Sequence, residues 1–266
     1  MDDVWSNEVW DEVRSAFPND SNGSRILITS RNKVVALHAS LTPPHLLSFL
    51  DKYESWELFK KNVFRGGICP PEFETLGRQI AEGCHGLPLS IVVLAGLLAN
   101  KERSLHIWSK FVGHVSSFLI TQAEDTIICE KILSLSYTDL PRYLKPCFLY
   151  FGMYPEDHEI PVRQLIHLWV AEGFIQHTGQ RFPEDVAEMY LENLIDRSLI
   201  QVARRRVDGG VKACRIHDLL RELCISESAK GMFLEVQSEN RLDTNNSRRL
   251  SIQGNTRQYM SLNPCP

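Results

Sequence analysis

The 266-residue chain is long enough for two modest domains, or for one and part of another. A hydrophobic share of 43% with 23% charged residues excludes a disordered chain and allows real cores to be buried. The net charge of −4 argues against a general binder of nucleic acid or of acidic membrane surfaces.

Cysteines stand at 69, 84, 129, 147, 214, 224 and 265, with no Cys-x-x-Cys pair, the usage of a reducing compartment where Cys serves as a small core residue. No signal peptide opens the sequence. The longest apolar stretch, Leu87 to Ala99, is interrupted by Pro88, Ser90 and Gly96 and is too short to cross a bilayer. A soluble, intracellular protein without a transmembrane segment is expected.

Met1-Asp2-Asp3-Val4-Trp5 begins the chain. Adjacent acids in such a setting close the Walker-B strand of nucleotide switches, where one carboxylate holds Mg²⁺ and the next orients water near the γ-phosphate. Acids at a helix start are an equally natural use of the pair. A Walker-B strand needs an apolar run and a phosphate loop upstream. No Gly in the chain is followed by Lys, so the G-x-x-x-x-G-K-[ST] loop is absent from these residues, and the chain is expected to begin inside a domain.

Ser6 is placed to cap a helix with Val9, Trp10, Val13 and Phe17 on one face. Turn residues from Pro18 to Gly23 lead into Arg25-Ile26-Leu27-Ile28-Thr29, expected as a short buried strand of a parallel sheet. Ser30-Arg31-Asn32 opens a helix through Val34, Val35 and Leu37. Leu46 to Leu50 is a candidate further strand. Helix, turn, strand, helix is the alternation of an α/β sheet.

Helices alone follow. Asp51 and Glu54 form a capping box ahead of Trp56, Phe59 and Val63. Pro70-Pro71 starts a stripe of Phe73, Leu76 and Ile80 that Gly83 ends. Leu87 to Leu98 is apolar all round and should be the central helix of a small bundle. Ser104 caps a helix with Leu105, Trp108, Phe111, Val115 and Phe118 inward, and Gln122 to Asp125 is a polar boundary.

The third part begins with a helix through Ile127, Ile128, Ile132 and Leu135. A second is expected over Arg142 to Phe151. A third starts with Pro161 as its first residue and ends at Gly173, and a fourth starts at Pro183 and runs through Val186, Tyr190 and Leu194. Leu199 to Val202 and Val211 to Ile216 flank Asp208-Gly209-Gly210, a strong hairpin signal. Helices followed by a two-stranded hairpin describe a winged helix. Beyond Glu235 the chain turns polar, and Arg249-Leu250-Ser251-Ile252 reads as one more strand.

Three places are candidates for ligand contact. Arg31 follows the carboxyl end of the Arg25 to Thr29 segment, the edge of an open α/β sheet that faces ligand, although a solvated strand end explains it too. Pro88 in Gly86-Leu87-Pro88-Leu89 offers a flat apolar face to an aromatic ring, or is simply a helix-start proline. His217 in Ile216-His217-Asp218 stands at a helix start where it can meet an anion, or is a structural histidine, while Asp218 is the natural N-cap. Cys214, His217 and Cys224 are a poor zinc set, lacking a second pair. The aromatic run from Cys147 to Asp157 reads as core.

In this order and spacing, Asp2-Asp3-Val4-Trp5, Gly23 to Arg31, Tyr53 to Phe64, Gly86 to Leu89, Cys147 to Asp157 and Ile216 to Asp218 resemble the NB-ARC switch module of plant nucleotide-binding leucine-rich-repeat immune receptors. The likeness covers roughly residues 1 to 235. Trp5 and the Cys147 to Asp157 segment resemble the coiled-coil subclass. The resemblance implies a mainly α fold with a partial α/β region: a remnant of a P-loop NTPase sheet over 1–50, a helical bundle over 51–122 and a winged-helix domain over 123–235. A linker over 236–266 would carry the possible start of the leucine-rich repeats.

It also implies ADP or ATP with Mg²⁺ as cofactor. Asp2 would hold the metal, Asp3 would orient the hydrolytic water, and Arg31 would sense the γ-phosphate. Pro88 would pack on adenine, and His217 would hold the β-phosphate of ADP. Coiled-coil and leucine-rich-repeat regions of the same receptor would be its partners, with oligomer assembly on activation, in a cytoplasmic protein that can associate with a membrane when activated. Ile216 stands where the family more often has Met, a swap of similar volume. Without the phosphate loop, ATP turnover by this chain is expected to be absent.

Two other readings stay open. A nucleotide-free adaptor, decoy or relic fits the missing loop. A DNA-binding winged helix fits Arg204-Arg205-Arg206 but not Glu184, Asp185, Glu188, Glu192 and Asp196 ahead of it, which repel a phosphate backbone.

Overall fold

The computed structural model describes residues 1–17, 23–40, 42–120, 125–176, 179, 181–237 and 248–253, with the side chains of 118–120 left aside. The chain divides into two units, Met1–Ser48 and Phe49–Pro266.

In the first unit Ser6 Oγ accepts the Val9 N–H at 3.3 Å and starts α1 (Asn7–Arg14), and Asn32 Oδ1 accepts the Val34 N–H at 2.9 Å and starts α2 (Lys33–Ala39). Trp10, Val35 and Val4 make up its small buried core, while Phe17, Val34 and Leu37 stay exposed. The expected buried strand at Arg25–Thr29 is present only as an extended segment. The Met1 amine donates to Leu27 O at 2.8 Å and Thr29 N donates to Met1 O at 3.0 Å, the bond pair of a parallel bridge. Asp3, at φ 48°, then leaves the extended region, so the next bond, from Val4 N to Thr29 O at 2.9 Å, is out of the regular ladder and no strand follows. Ile26 and Leu27 are exposed, at 46% and 82%, because no second layer covers them among the described residues. Leu46 to Leu50 forms no strand either; it is extended, with Leu47 90% exposed.

The second unit begins with the capping box, Asp51 Oδ1 accepting from Glu54 N at 2.7 Å and Glu54 Oε2 from Asp51 N at 3.0 Å. It starts α3 (Lys52–Val63), which packs with α4 (Pro71–Glu82), α5 (Pro88–Ala99) and α6 (Leu105–Ile120). Trp56, Phe59, Phe73 and Trp108 form an aromatic cluster, with Phe73 and Trp108 centroids 4.9 Å apart. From Ile91 to Leu98, α5 is buried on nearly every side, as its unbroken apolar sequence requires. Leu105 is exposed instead of inward. Residues 121–124 of the expected polar boundary, and the Phe118 side chain, lie outside the described residues.

The chain continues into α7 (Asp125–Thr138), where Ile128 and Ile132 are buried but Ile127 is 41% exposed. The single helix expected over Arg142 to Phe151 is two short pieces, α8 (Lys145–Leu149) and a 3₁₀ turn (Tyr150–Met153). Pro161 is not the first helical residue. With Ile160 it forms the short strand β1 (Ile160–Pro161) and supplies the N-cap position of α9 (Val162–Ala171). Then come α10 (Pro183–Asp196), β2 (Gln201–Arg205), β3 (Val211–Arg215) and α11 (Asp218–Lys230).

The sheet order is β1-β3-β2, all antiparallel, so the hairpin gains a third strand that local sequence did not announce. The core of this part gathers Phe148, Phe151, Trp169, Leu191, Leu194, Cys214 and Leu220. Helices closed by a three-stranded antiparallel wing are a winged helix.

The last strands, β4 (Glu235–Gln237) and β5 (Leu250–Ile252), pair in parallel. They are tied to the winged-helix part: Ser251 Oγ donates to Met153 O at 2.7 Å. The Arg249 guanidinium reaches Glu172 at 2.5 Å and lies over the rings of Phe233 and Phe174.

Candidate functional site

The five residues singled out from the sequence fall into two groups, one in each unit. In the first, Asp2, Asp3 and Arg31 come together around Thr29. Thr29 Oγ1 donates to Asp2 Oδ1 and accepts the Asp3 N–H at 2.9 Å. Arg31 Nη2 reaches Asp3 Oδ2 at 2.7 Å, with both side chains substantially exposed. Ser30 Oγ donates to Val4 O at 2.6 Å, fixing the turn that carries Arg31. Two carboxylates and a guanidinium stand at the carboxyl end of the extended segment, a setting suited to a hard cation and an oxygen-rich anion.

In the second unit Pro88 and His217, far apart in sequence, line one open cleft of about 360 Å³ together with Leu89, Val92, Ser198 and Gln201. Pro88 is the first residue of α5, a position where its missing N–H leaves no bond unmade. His217 is the N-cap of α11: its Nδ1 accepts the Leu219 N–H at 3.3 Å. This corrects the sequence expectation, which gave the cap to Asp218. Asp218 is the first helical residue, an acid in the first turn where the helix dipole favours it. Because a backbone N–H can only donate, Nδ1 is the acceptor of this bond, which leaves Nε2 as the nitrogen that can donate.

One wall of the cleft is apolar, from Pro88, Leu89, Val92, Ile195 and Ile200, and its polar groups are Ser198, Gln201 and His217. An apolar plate facing a few hydrogen-bonding groups is the make-up of a cofactor site. Sequence reasoning missed Ser198 and Gln201. Gln201 stands in a hairpin strand and Ser198 just before it, neither in a binding motif, and only the fold brings them to the cleft that Pro88 lines.

The zinc alternative is overturned. Cys214 Sγ donates to Ile160 O and Cys224 Sγ to Phe148 O, both thiols sit in the core, and burial pushes their pKa upward, Cys214 to about 12. Among the described residues no group of three candidate ligands can hold a metal. On the wing, Arg204 pairs with Glu159 and Arg206 with Glu188 at 3.2 Å. Among the described residues no helix is long and apolar enough to cross a membrane.

A helical bundle followed by a winged helix, with a cleft that Pro88 and His217 both line, defines the class: a helical module closed by a winged-helix domain. Comparison with known proteins supplies the family. Residues 1–69 match the NB-ARC domain and residues 153–224 match the disease resistance protein winged helix domain. A putative late blight resistance protein homolog of Solanum demissum is 44% identical over 237 residues, 88% of this chain and 18% of that protein. The late blight resistance protein R1-A of the same species is 43% identical over the same share. The ToMV resistant protein Tm-2 netted virescent of Solanum lycopersicum is 41% identical over 261 residues, 94% of this chain and 30% of that protein. The chain belongs to the plant NB-ARC disease-resistance proteins. It spans less than a third of the length of these relatives.

Proposed function

We propose that these residues form part of the ADP/ATP-dependent switch of an intracellular plant immune receptor. The observation that carries this reading is the shared cleft of Pro88 and His217. Pro88 and its apolar neighbours suit an adenine face, and His217 Nε2–H is a donor for the β-phosphate of ADP. In the other unit Asp2 is the residue to hold Mg²⁺, Asp3 to orient water, and Arg31, now paired with Asp3, to meet a γ-phosphate. ADP held by His217 would keep the winged helix in the resting arrangement, and exchange for ATP would release it toward oligomer assembly and the defence response. Coiled-coil and leucine-rich-repeat regions of the same receptor are the partners in this scheme. In this scheme the domains are 1–50, 51–122, 123–235 and 236–266.

The chain contains no phosphate loop, whose backbone N–H groups and Lys supply most of the hold on a bound nucleotide. Weak ADP binding is therefore expected from these 266 residues alone. The test is a chimera, with this segment replacing the matching region downstream of the phosphate loop in the full-length Tm-2 netted virescent relative. The chimera should retain ADP on purification and stay silent in leaf tissue, and His217→Ala should lose the ADP and cause cell death without a pathogen. A His217→Ala chimera that accumulates normally, keeps its ADP and stays silent would overturn the assignment.

A further inference from the structure

Gln201 begins β2 and lies directly across the antiparallel ladder from Arg215. Arg215 Nε donates to Gln201 Oε1 at 3.1 Å. A guanidinium has donors only, so the amide must turn its oxygen to Arg215 and is left with its –NH₂. That nitrogen has no acceptor among the described residues, and Gln201 lines the same cleft as His217 and Pro88. His217 is constrained in the same way. The Leu219 N–H takes the acceptor capacity of Nδ1 and leaves Nε2–H. Two side chains on one cleft are thus each held by a neighbouring donor so that what remains is itself a donor, and the Ser198 hydroxyl stands with them. A set of donors beside an apolar wall suits a ligand with an oxygen-rich anionic group on an apolar body.

We propose that Gln201 is a further phosphate-contacting residue of the cleft and that Arg215 is its positioning residue. The inference rests on the nucleotide reading of that cleft and adds to it a contact from the wing strand itself. Nucleotide occupancy would then act directly on the β2–β3 hairpin as well as on the start of α11. Arg215 also brings positive charge behind the amide, which strengthens its N–H donors toward an anion.

The test uses the ¹⁵N-labelled 266-residue chain titrated into the roughly millimolar range with ADP, with pyrophosphate and with adenosine. ADP and pyrophosphate should shift the Gln201 side-chain amide and the His217 ring resonances over the same concentration range, and adenosine should leave the Gln201 amide unmoved. Arg215→Ala should reduce the Gln201 response while the His217 response persists. Gln201→Glu keeps the pairing with Arg215 but replaces donors by acceptors, so ADP should bind about tenfold more weakly, the usual effect of losing one charge-assisted bond. A His217 response without one at Gln201 overturns this inference and leaves the nucleotide reading standing. Silence at both residues overturns this inference, while the nucleotide reading is decided by the chimera, and a Gln201 shift with adenosine alone overturns the phosphate assignment.

Discussion

Gly96 on α5 lets the backbone of Arg197 approach closer than any side chain would allow: a β-carbon there would lie 2.5 Å from both the carbonyl carbon and the carbonyl oxygen of Arg197. The contact is the seam between the helical bundle and the winged helix. Asn100 Nδ2 reinforces it, donating to Gly96 O at 2.9 Å and to Asp196 O at 3.2 Å, and Arg65 pairs with Asp196 at 3.0 Å. The seam lies beside the cleft, since Ile195 and Ser198, which flank Arg197 in sequence, line it.

Gly96→Ala is expected to destabilise the chain. Overpacking against rigid backbone costs about 1–3 kcal/mol, more than the gain of about 1 kcal/mol from better helix propensity. Gly113 in α6 is the control, with nothing within 4 Å of an added β-carbon, and Gly113→Ala should stabilise by up to about 1 kcal/mol. Denaturant unfolding of both variants checks the pair. Equal gains from the two substitutions would mean that the seam is not tight.

Ser198→Gly should raise stability by roughly 0.5–1 kcal/mol. Ser198 has φ 59° at the end of α10, with Ser198 N donating to Ile195 O at 2.8 Å and Leu199 N to Leu194 O at 3.1 Å. That is the Schellman arrangement, whose left-handed residue is ordinarily Gly. Ser198→Val, β-branched, should lose about 1–2 kcal/mol at the same place. Thermal midpoints measured under identical conditions decide it, and a Gly variant less stable than the parent contradicts the assigned backbone.

Amide exchange should divide the chain sharply. Arg25 to Thr29 lies over a core of only Val4, Trp10 and Val35, and its regular ladder breaks at Asp3, with the Val4 N to Thr29 O bond beyond the break. Those amides should exchange early. Ile91 to Leu98, buried on nearly every side of α5, should exchange last. Comparable protection in the two segments would show that the extended segment is held by something beyond the contacts described.

Alkaline pH should unfold the chain before its surface charges explain it. Burial raises the thiol pKa of Cys84 and Cys214 from 9.0 to about 12, and raises those of Cys147 and Cys224 as well. A thiol raised in the folded state is protonated there while the unfolded chain has already lost its proton. The stability it contributes is therefore complete below pH 9 and falls as pH rises toward the folded value. Each such thiol adds a slope of up to about 1.4 kcal/mol per pH unit above that point. Guanidinium unfolding at about pH 8 and about pH 10.5 checks the sign, and an unchanged midpoint contradicts it.

Much of the architecture was legible because it is written in short-range chemistry. The Asp51–Glu54 box, the first-turn prolines Pro71, Pro88 and Pro183, and the Asp208-Gly209-Gly210 turn each act on neighbours within a few residues. The apolar α5 could only be central, since no face of it tolerates water. Where a nearby residue offers a competing solution, local reading erred. Asp218 is the better cap by type, yet His217 has the extended backbone and the bond to Leu219. Arg25–Thr29 has strand composition, yet a strand exists only through a partner, and a single parallel bridge to Met1 does not make a sheet.

Residue types and their order along the chain determined by themselves the family, the helical bundle and the candidates Asp2, Asp3, Arg31, Pro88 and His217. Tertiary structure alone decided that Pro88 and His217 share a cleft, that Ile160–Pro161 completes the wing on β3, and that Arg215 turns the Gln201 amide. The physical reason is distance along the chain. Capping, turn formation and amphipathic burial are settled within a few residues, whereas a cleft or a cross-strand pair depends on packed surfaces that meet only after the whole core has closed.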